Sequence, residues 1–269
     1  MRTERGFTLL ELVVTVALSA IVVTFMALFL VAPVDGYAAH ERRTELADSA
    51  NNAVRMLDAD IRTALPDSVR YVRVGTTVTL ELLRTEEVAR YRHTGEGGGA
   101  AQELDFNVPE NVFTTVGYFR PTSMHYLVVG HTGMGVDAYN LLNVITPRDS
   151  ATVAPGLPEE DVVTIFPQFT FVIPVPTGKV FAVSTPVAYV CNEAAGTLTR
   201  IDGYPISAPI AGLAGSGTSA LVARDITSCA VNSVPSTDKR GTLVMMELVF
   251  ARGGETLNVM HEAQVENVP

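Results

Sequence analysis

A single carboxylate, that of Glu11, lies inside an otherwise apolar N-terminal segment, where it could form an ion pair. Phe7, Leu9 and Leu10 precede it, and the next charged residue is Asp35. A charge near the edge of a membrane-embedded segment costs on the order of 1–3 kcal/mol. A carboxylate that merely ended a polar flank would not follow apolar residues. We therefore expect Glu11 to have a cationic partner.

The other polar residues form no recognisable catalytic or metal-binding motif. Gly215–Ser219 lacks a serine at the centre of a Gly-x-Ser-x-Gly frame, and no useful helix follows Gly95 and Gly97, as a dinucleotide site would require. The five histidines lack metal-site spacing, and Glu159–Asp161 lacks the alternating oxygen ligands of a calcium loop. The sequence therefore predicts no enzyme activity, no metal site and no cofactor. A membrane-anchored hydrolase is disfavoured for the same reason.

The chain contains two cysteines, Cys191 and Cys229. If this part of the chain is exported, the even count suggests a disulfide that contributes about 3–4 kcal/mol on the chain-entropy model. Two free buried thiols are the alternative. Metal binding is disfavoured because neither cysteine has a second Cys or a His at ligand spacing.

The run from Leu12 to Val34 carries no charge and is long enough to cross a bilayer as a helix. Arg2 and Arg5 precede it, so the positive-inside rule predicts a cytoplasmic N-terminus and a translocated C-terminal part. A secretory signal peptide cleaved near Gly36–Ala38 is one alternative, but its apolar core would be shorter. An uncleaved signal anchor is the other alternative, and it gives no reason for Glu11.

The sequence Gly6-Phe7-Thr8-Leu9-Leu10-Glu11 resembles the processing signal of type IV prepilins and type II secretion pseudopilins. The resemblance implies that a membrane peptidase cleaves after Gly6 and methylates the new N-terminal Phe7. It also implies that Glu11 pairs with the terminal amine of a neighbouring subunit. Residues 1–6 would then be a leader peptide, and residues 7–34 a transmembrane helix.

Two helix-weakening residues, Pro33 and Gly36, follow the apolar run and predict a kink or local melting there. An amphipathic helix is then expected over residues 35–65, and Pro66 ends it. Its apolar residues recur at spacings of four and three, which gives one stripe to bury and is too short to favour a coiled coil. The stripe consists of Leu46, Ala50, Val54, Leu57, Ile61 and Ala64.

From residue 66 to residue 269 the pattern changes to the alternation that is typical of strands. Residues 68–74 and 77–84 flank Gly75-Thr76 and predict a hairpin. Proline-rich stretches at 155–158 and 205–209 and the small-residue run 211–220 predict loops. Further predicted strands span residues 86–93, 126–129, 141–145, 162–166, 169–173, 187–191, 197–201, 243–251 and 255–265. The fold class is therefore α+β, with a long N-terminal helix packed on an antiparallel sheet domain.

Three further stretches resemble a minor pseudopilin of the mannose-sensitive haemagglutinin pilus system, namely Pro186–Cys191, Gly196–Arg200 and His261–Pro269. This narrower resemblance implies a low-abundance subunit of a pilus or pseudopilus initiation or tip complex. Its expected partners are other minor and major pilins, the prepilin peptidase, the inner-membrane assembly platform and membrane lipid. Its expected location is the bacterial inner membrane, with a periplasmic domain.

A tip adhesin that binds a surface glycan is the alternative function, with Tyr118, Tyr126 and Tyr139 as candidate aromatic contacts. The complete absence of Trp disfavours it slightly. Nucleic acid is not an expected partner, because the formal net charge is −10 and no basic stripe with interleaved aromatic residues occurs.

Overall fold

The computed structural model describes residues 6–93, 95, 102–131, 137–140, 143–156, 158–210, 213, 215–234 and 242–265, with backbone alone at 28 and 30–35. Most of the predicted leader, residues 1–5, lies outside this part of the chain. The described chain begins with one long helix, α1 (Leu9–Arg62, 54 residues). The helix is followed by a domain made of strands, so the predicted α+β class is confirmed.

Helix α1 is continuous through Pro33 and Gly36. The backbone therefore does not melt there, and a kink at this place stays a prediction. The helix ends at Arg62, three residues before the predicted end at Leu65. The reason is tertiary: Ala64 forms a bridge to Arg84, and the N–H of Leu65 donates to the carbonyl oxygen of Leu83 at 2.6 Å. Pairing with a strand thus replaces the last predicted turn.

Nine strands form a large antiparallel sheet with the order β5-β6-β3-β2-β7-β8-β9, to which β1 adds beside β2 and β4 beside β7. They are β1 (Arg70–Val74), β2 (Thr77–Tyr91), β3 (Glu110–Val116), β4 (Tyr126–Val128), β5 (Ala151–Pro155), β6 (Glu160–Phe169), β7 (Lys179–Asn192), β8 (Thr197–Asp202) and β9 (Thr218–Arg224). A second sheet of three antiparallel strands contains β10 (Ile226–Val234), β11 (Leu243–Arg252) and β12 (Glu255–Gln264).

The hairpin predicted around Gly75-Thr76 is confirmed as β1 and β2. The strands predicted at 77–84 and 86–93 are one strand, because two irregularities between Leu83 and Glu87 let β2 stay paired with β7. The strand predicted at 162–166 is confirmed as part of β6, which spans Glu160–Phe169. The strand predicted at 169–173 was wrong, because only Phe169 belongs to β6 and no strand covers residues 170–173. No strand covers residues 143–145 of the one predicted at 141–145, and residues 141–142 lie outside the described part. The predicted loop at 211–220 contains the start of β9.

The predicted helical stripe packs into the main core. Leu46, Ala50, Leu57, Ile61 and Ala64 are all buried, together with Ala53, whereas the predicted Val54 is only half-buried. They contact the inner faces of both sheets, including Leu80 and Leu82 of β2 and Leu248 and Phe250 of β11. A second core, around Tyr91, Phe113 and Phe171, lies in the part of the large sheet built on β3, β5 and β6. Helix α1 is thus the spine of the first core.

The pairing along β7 leaves a gap in the large sheet. Strand β2 follows one edge of β7 throughout, so β4 and β8 both lie along the other edge. Strand β4 pairs with Phe181–Val183, and β8 begins to pair only at Ala188. Within the described residues, no strand covers Ser184–Val187 on that side. Side chains from several elements, together with Gly203, line this gap.

Candidate assembly site

A capping box fixes the start of α1, two residues after the predicted cleavage bond. Thr8 has extended geometry (φ −82°, ψ 150°), and its hydroxyl accepts from the N–H of Glu11 at 3.2 Å. In return, the Glu11 carboxylate accepts from the N–H of Thr8 at 3.5 Å. Two of the donors that a helix start leaves unpaired are thereby satisfied. Gly6 and Phe7 precede the helix and are exposed.

The segment after Glu11 has no protein surface to cover it. Residues Leu9–Ala27 form an apolar span with a mean hydropathy of 2.4, and none of it is buried within the chain. Phe25 is 71% exposed and Leu9 is 82% exposed. Apolar side chains at this density are unfavourable in water, so they require lipid or the apolar helices of other chains. Glu11 is the carboxylate at the edge of this surface.

Residues 1–27 match the family described as the prokaryotic N-terminal methylation motif. This match supports a type IV pilin-like protein. For a pilin-like chain, the motif indicates a structural subunit rather than an enzyme, and it implies contacts with other pilins and with the prepilin peptidase in general. The single apolar N-terminal helix and the motif together support a single-pass inner-membrane anchor.

Neither the curated proteins nor the solved structures gave a match to this chain. The narrower resemblance to a haemagglutinin-pilus pseudopilin therefore has no support from these comparisons. One of its three segments, His261–Pro269, extends past the described residues.

The predicted disulfide is present between Cys191 in β7 and Cys229 in β10. It covalently joins the two sheets within the main core, and both cysteines are buried. Beside it, Glu193 accepts from the N–H of Cys229 at 2.9 Å and pairs with Arg73, which in turn donates to the carbonyl oxygen of Cys229. Glu193 and Arg73 thus occupy the backbone N–H and carbonyl oxygen of Cys229 on the side of β10 away from β11.

A buried polar anchor between α1 and the large sheet was not predicted from the sequence. Asp60, only 9% exposed, accepts from the hydroxyl of Tyr189 at 2.6 Å and from Nε of Arg200 at 2.7 Å. Burial and the hydrogen bond to Asp60 raise the pKa of Tyr189, so its phenol remains a donor. Burial lowers the pKa of Arg200, but its bonds to Asp60 and Asp202 raise it by more. The only available signal was a carboxylate one position before Ile61 of the apolar stripe.

Strand β12 runs along α1 and is joined to it by polar side-chain contacts at two places. Glu255 pairs with Arg43 at 2.7 Å, and His261 contacts Asp58 at 2.9 Å. The hydrogen bond from Arg62 lowers the pKa of Asp58 despite its partial burial, and His261 acts in the same direction.

Two of the three tyrosines proposed as glycan contacts are inaccessible. Tyr126 and Tyr139 are buried, and the hydroxyl of Tyr139 donates to the carbonyl oxygen of Ser68. Tyr118 is 63% exposed and lies near Arg120. Among the residues that the structure describes, no cluster of three or more His, Cys, Asp or Glu side chains could hold a metal ion.

Proposed function

We propose that this chain is a minor pilin or pseudopilin that is cleaved after Gly6, methylated at Phe7 and incorporated into a type IV pilus or pseudopilus initiation or tip complex. The observation that carries the proposal is the exposed carboxylate of Glu11 at the start of an uncovered apolar helix that matches the methylation motif. The proposed orientation places the N-terminus in the cytoplasm and the sheet domain in the periplasm.

Glu11 would be the assembly residue. Cleavage after Gly6 would create an α-amine at Phe7, with an ordinary pKa of about 7.7–8.0. A carboxylate and an ammonium group attract each other far more strongly among apolar helices than in water. Because an unpaired charge is penalised there, this contact would also set the register between neighbouring helices. In the free subunit Glu11 instead caps its own helix through Thr8, so assembly would exchange one partner for another.

Two substitutions separate the charge of Glu11 from its capping role. Glu11→Gln keeps an acceptor for the N–H of Thr8 but has no charge, whereas Glu11→Ala has neither. We expect both variants to be inserted in the membrane and to fail in filament incorporation, measured by quantifying the protein in sheared filaments. If Glu11→Gln were incorporated as efficiently as wild type, the ion-pair role would be wrong.

The class itself is tested by the intact mass and N-terminal residue of the protein purified from its native membrane. We expect a chain that begins at N-methylated Phe7. A chain that begins near Ala39 would indicate a conventional secreted protein, and one that retains Met1 a simple membrane anchor. Either result would overturn the proposal.

The tip adhesin remains the second candidate, and it would use the same anchor. With Tyr126 and Tyr139 buried, only Tyr118 of the three remains as an aromatic contact. A glycan-array screen of the purified protein decides this question, since a structural minor pilin is expected to bind no glycan.

A further inference from the structure

The gap in the large sheet beside Ser184–Val187 opens into a polar cleft of about 230 Å³. Three arginines from different parts of the chain line it: Arg84 from β2, Arg148 from the segment before β5, and Arg200 from β8. The hydroxyls of Ser184 and Thr185 and the imidazole of His125 lie in the same wall. Asp202 is the one carboxylate in the lining. The three guanidinium groups thus bring more N–H donors to the lining than the Asp202 carboxylate brings acceptor oxygens.

A carboxylate lies beside each arginine and leaves part of its guanidinium group unused. Glu86 accepts from Nε and Nη2 of Arg84, at 3.1 and 2.6 Å. Asp149 lies 3.4 Å from Nε of Arg148. Among the described residues, Nη1 of Arg84 and both terminal nitrogens of Arg148 therefore have no acceptor. The two terminal nitrogens of Arg148 match the planar, two-oxygen geometry of a carboxylate, and Nη1 of Arg84 adds a further donor.

We propose that this cleft binds a carboxylate side chain of an acidic protein segment. The cleft is smaller than the roughly 300–1,000 Å³ of pockets that enclose a whole small molecule, so it suits one inserted side chain. No Phe, Tyr or Trp side chain lines it, so a sugar ring would lack the large aromatic surface on which sugars usually stack. The supporting carboxylates Asp60, Glu86 and Asp149 cancel the long-range field of the arginines, so recognition depends on direct hydrogen bonds.

The net charge of the chain makes the test selective. At −10, the protein repels acidic peptides in general. Saturable binding of an acidic peptide therefore reports a specific site. The probe is a fluorescent hexapeptide of alternating Asp and Gly with blocked ends, titrated with the full-length protein in neutral detergent micelles and followed by anisotropy. The matched probe has Asn in place of each Asp.

We expect the Asp peptide to bind at least tenfold more tightly than the Asn peptide. Arg84→Gln and Arg148→Gln should each weaken binding about tenfold, and Arg148→Glu should abolish it. Arg43→Gln, which breaks an exposed ion pair on α1 away from the cleft, should leave binding unchanged. Arg148 is 39% exposed, so its variants test the proposal even if Arg84→Gln impairs folding.

Three results would overturn the proposal. The first is equal binding of the Asp and Asn peptides, and the second is wild-type affinity in the Arg148 variants. The third is tighter binding of an oligoglucuronate than of the Asp peptide, because the ligand would then be an acidic saccharide.

Discussion

Replacing Asp60 by alanine should destabilise the protein by about 3 kcal/mol. Removal of one partner of a buried ion pair costs roughly 3–5 kcal/mol. Leaving Arg200 without Asp60 should cost less, about 2 kcal/mol, because Arg200 keeps its ion pair with Asp202 and its side chain is 15% exposed. The hydroxyl of Tyr189, a residue only 1% exposed, loses its acceptor and adds about 1 kcal/mol.

The chain suits a direct measurement of this effect. It has eight tyrosines and no tryptophan, so tyrosine fluorescence reports unfolding in urea for the full-length protein in detergent micelles. Tyr189→Phe should cost only about 1 kcal/mol, because the ion pair remains. Glu45→Ala is the matched control on the same helix. It breaks a pair with Arg252 in which both side chains are 51% exposed, and it should change stability by less than about 0.5 kcal/mol.

An Asp60→Ala effect no larger than that of Glu45→Ala would refute the reasoning. It would mean that Arg200 and Tyr189 reach water or other partners once the carboxylate is gone. The double variant Asp60→Ala/Tyr189→Phe provides a second check. Both changes remove the same hydrogen bond. The double variant should therefore lose less stability than the sum of the losses of the two single variants.

Three further predictions use the same unfolding assay. Cys191→Ala/Cys229→Ala opens a link across 38 residues and should cost about 3–4 kcal/mol, and a cost below about 1 kcal/mol would contradict the structural role of the disulfide. Gly217→Ala should cost more than about 2 kcal/mol of stability, because φ is +66° and a Cβ would lie 1.9 Å from a backbone oxygen. Gly215→Ala is the control. It should cost less, because no atom lies near the Cβ that it would add. Asp58 has a lowered pKa in the folded state, so its ionised carboxylate stabilises the fold above about pH 4, and this stabilisation is lost as pH falls further. Asp58→Asn should therefore flatten the decline of stability below about pH 4. An unchanged pH profile would exclude this stabilising role of Asp58.

The sequence predicted the elements whose signals are local. The stripe of α1, the hairpin around Gly75 and the last two strands follow from periodicity and turn residues, and all are present. The cysteines were paired correctly because only two exist. Glu11 could be singled out because a charge in an apolar run is conspicuous in the sequence alone.

Features that depend on distant parts of the chain were not predicted. Strands β3, β5, β9 and β10 were missed because their pairing with neighbouring strands, not a clear alternation, decides their structure. The division into two sheets is likewise a matter of pairing. The contact between Asp60 and Arg200 joins residues 140 positions apart, so no spacing rule could find it.

The continuity of α1 has a mechanical consequence. At 1.5 Å per residue, its 54 residues form a rod about 80 Å long. One end is the uncovered apolar span, and the other is fixed among both sheets by Ile61 and the Asp60 anchor. A pull on the domain along the rod axis is therefore carried into the uncovered apolar span through one continuous helix. This load acts as shear on the contacts between α1 and the sheets. These contacts therefore set the force that the subunit withstands before the sheet domain separates from α1.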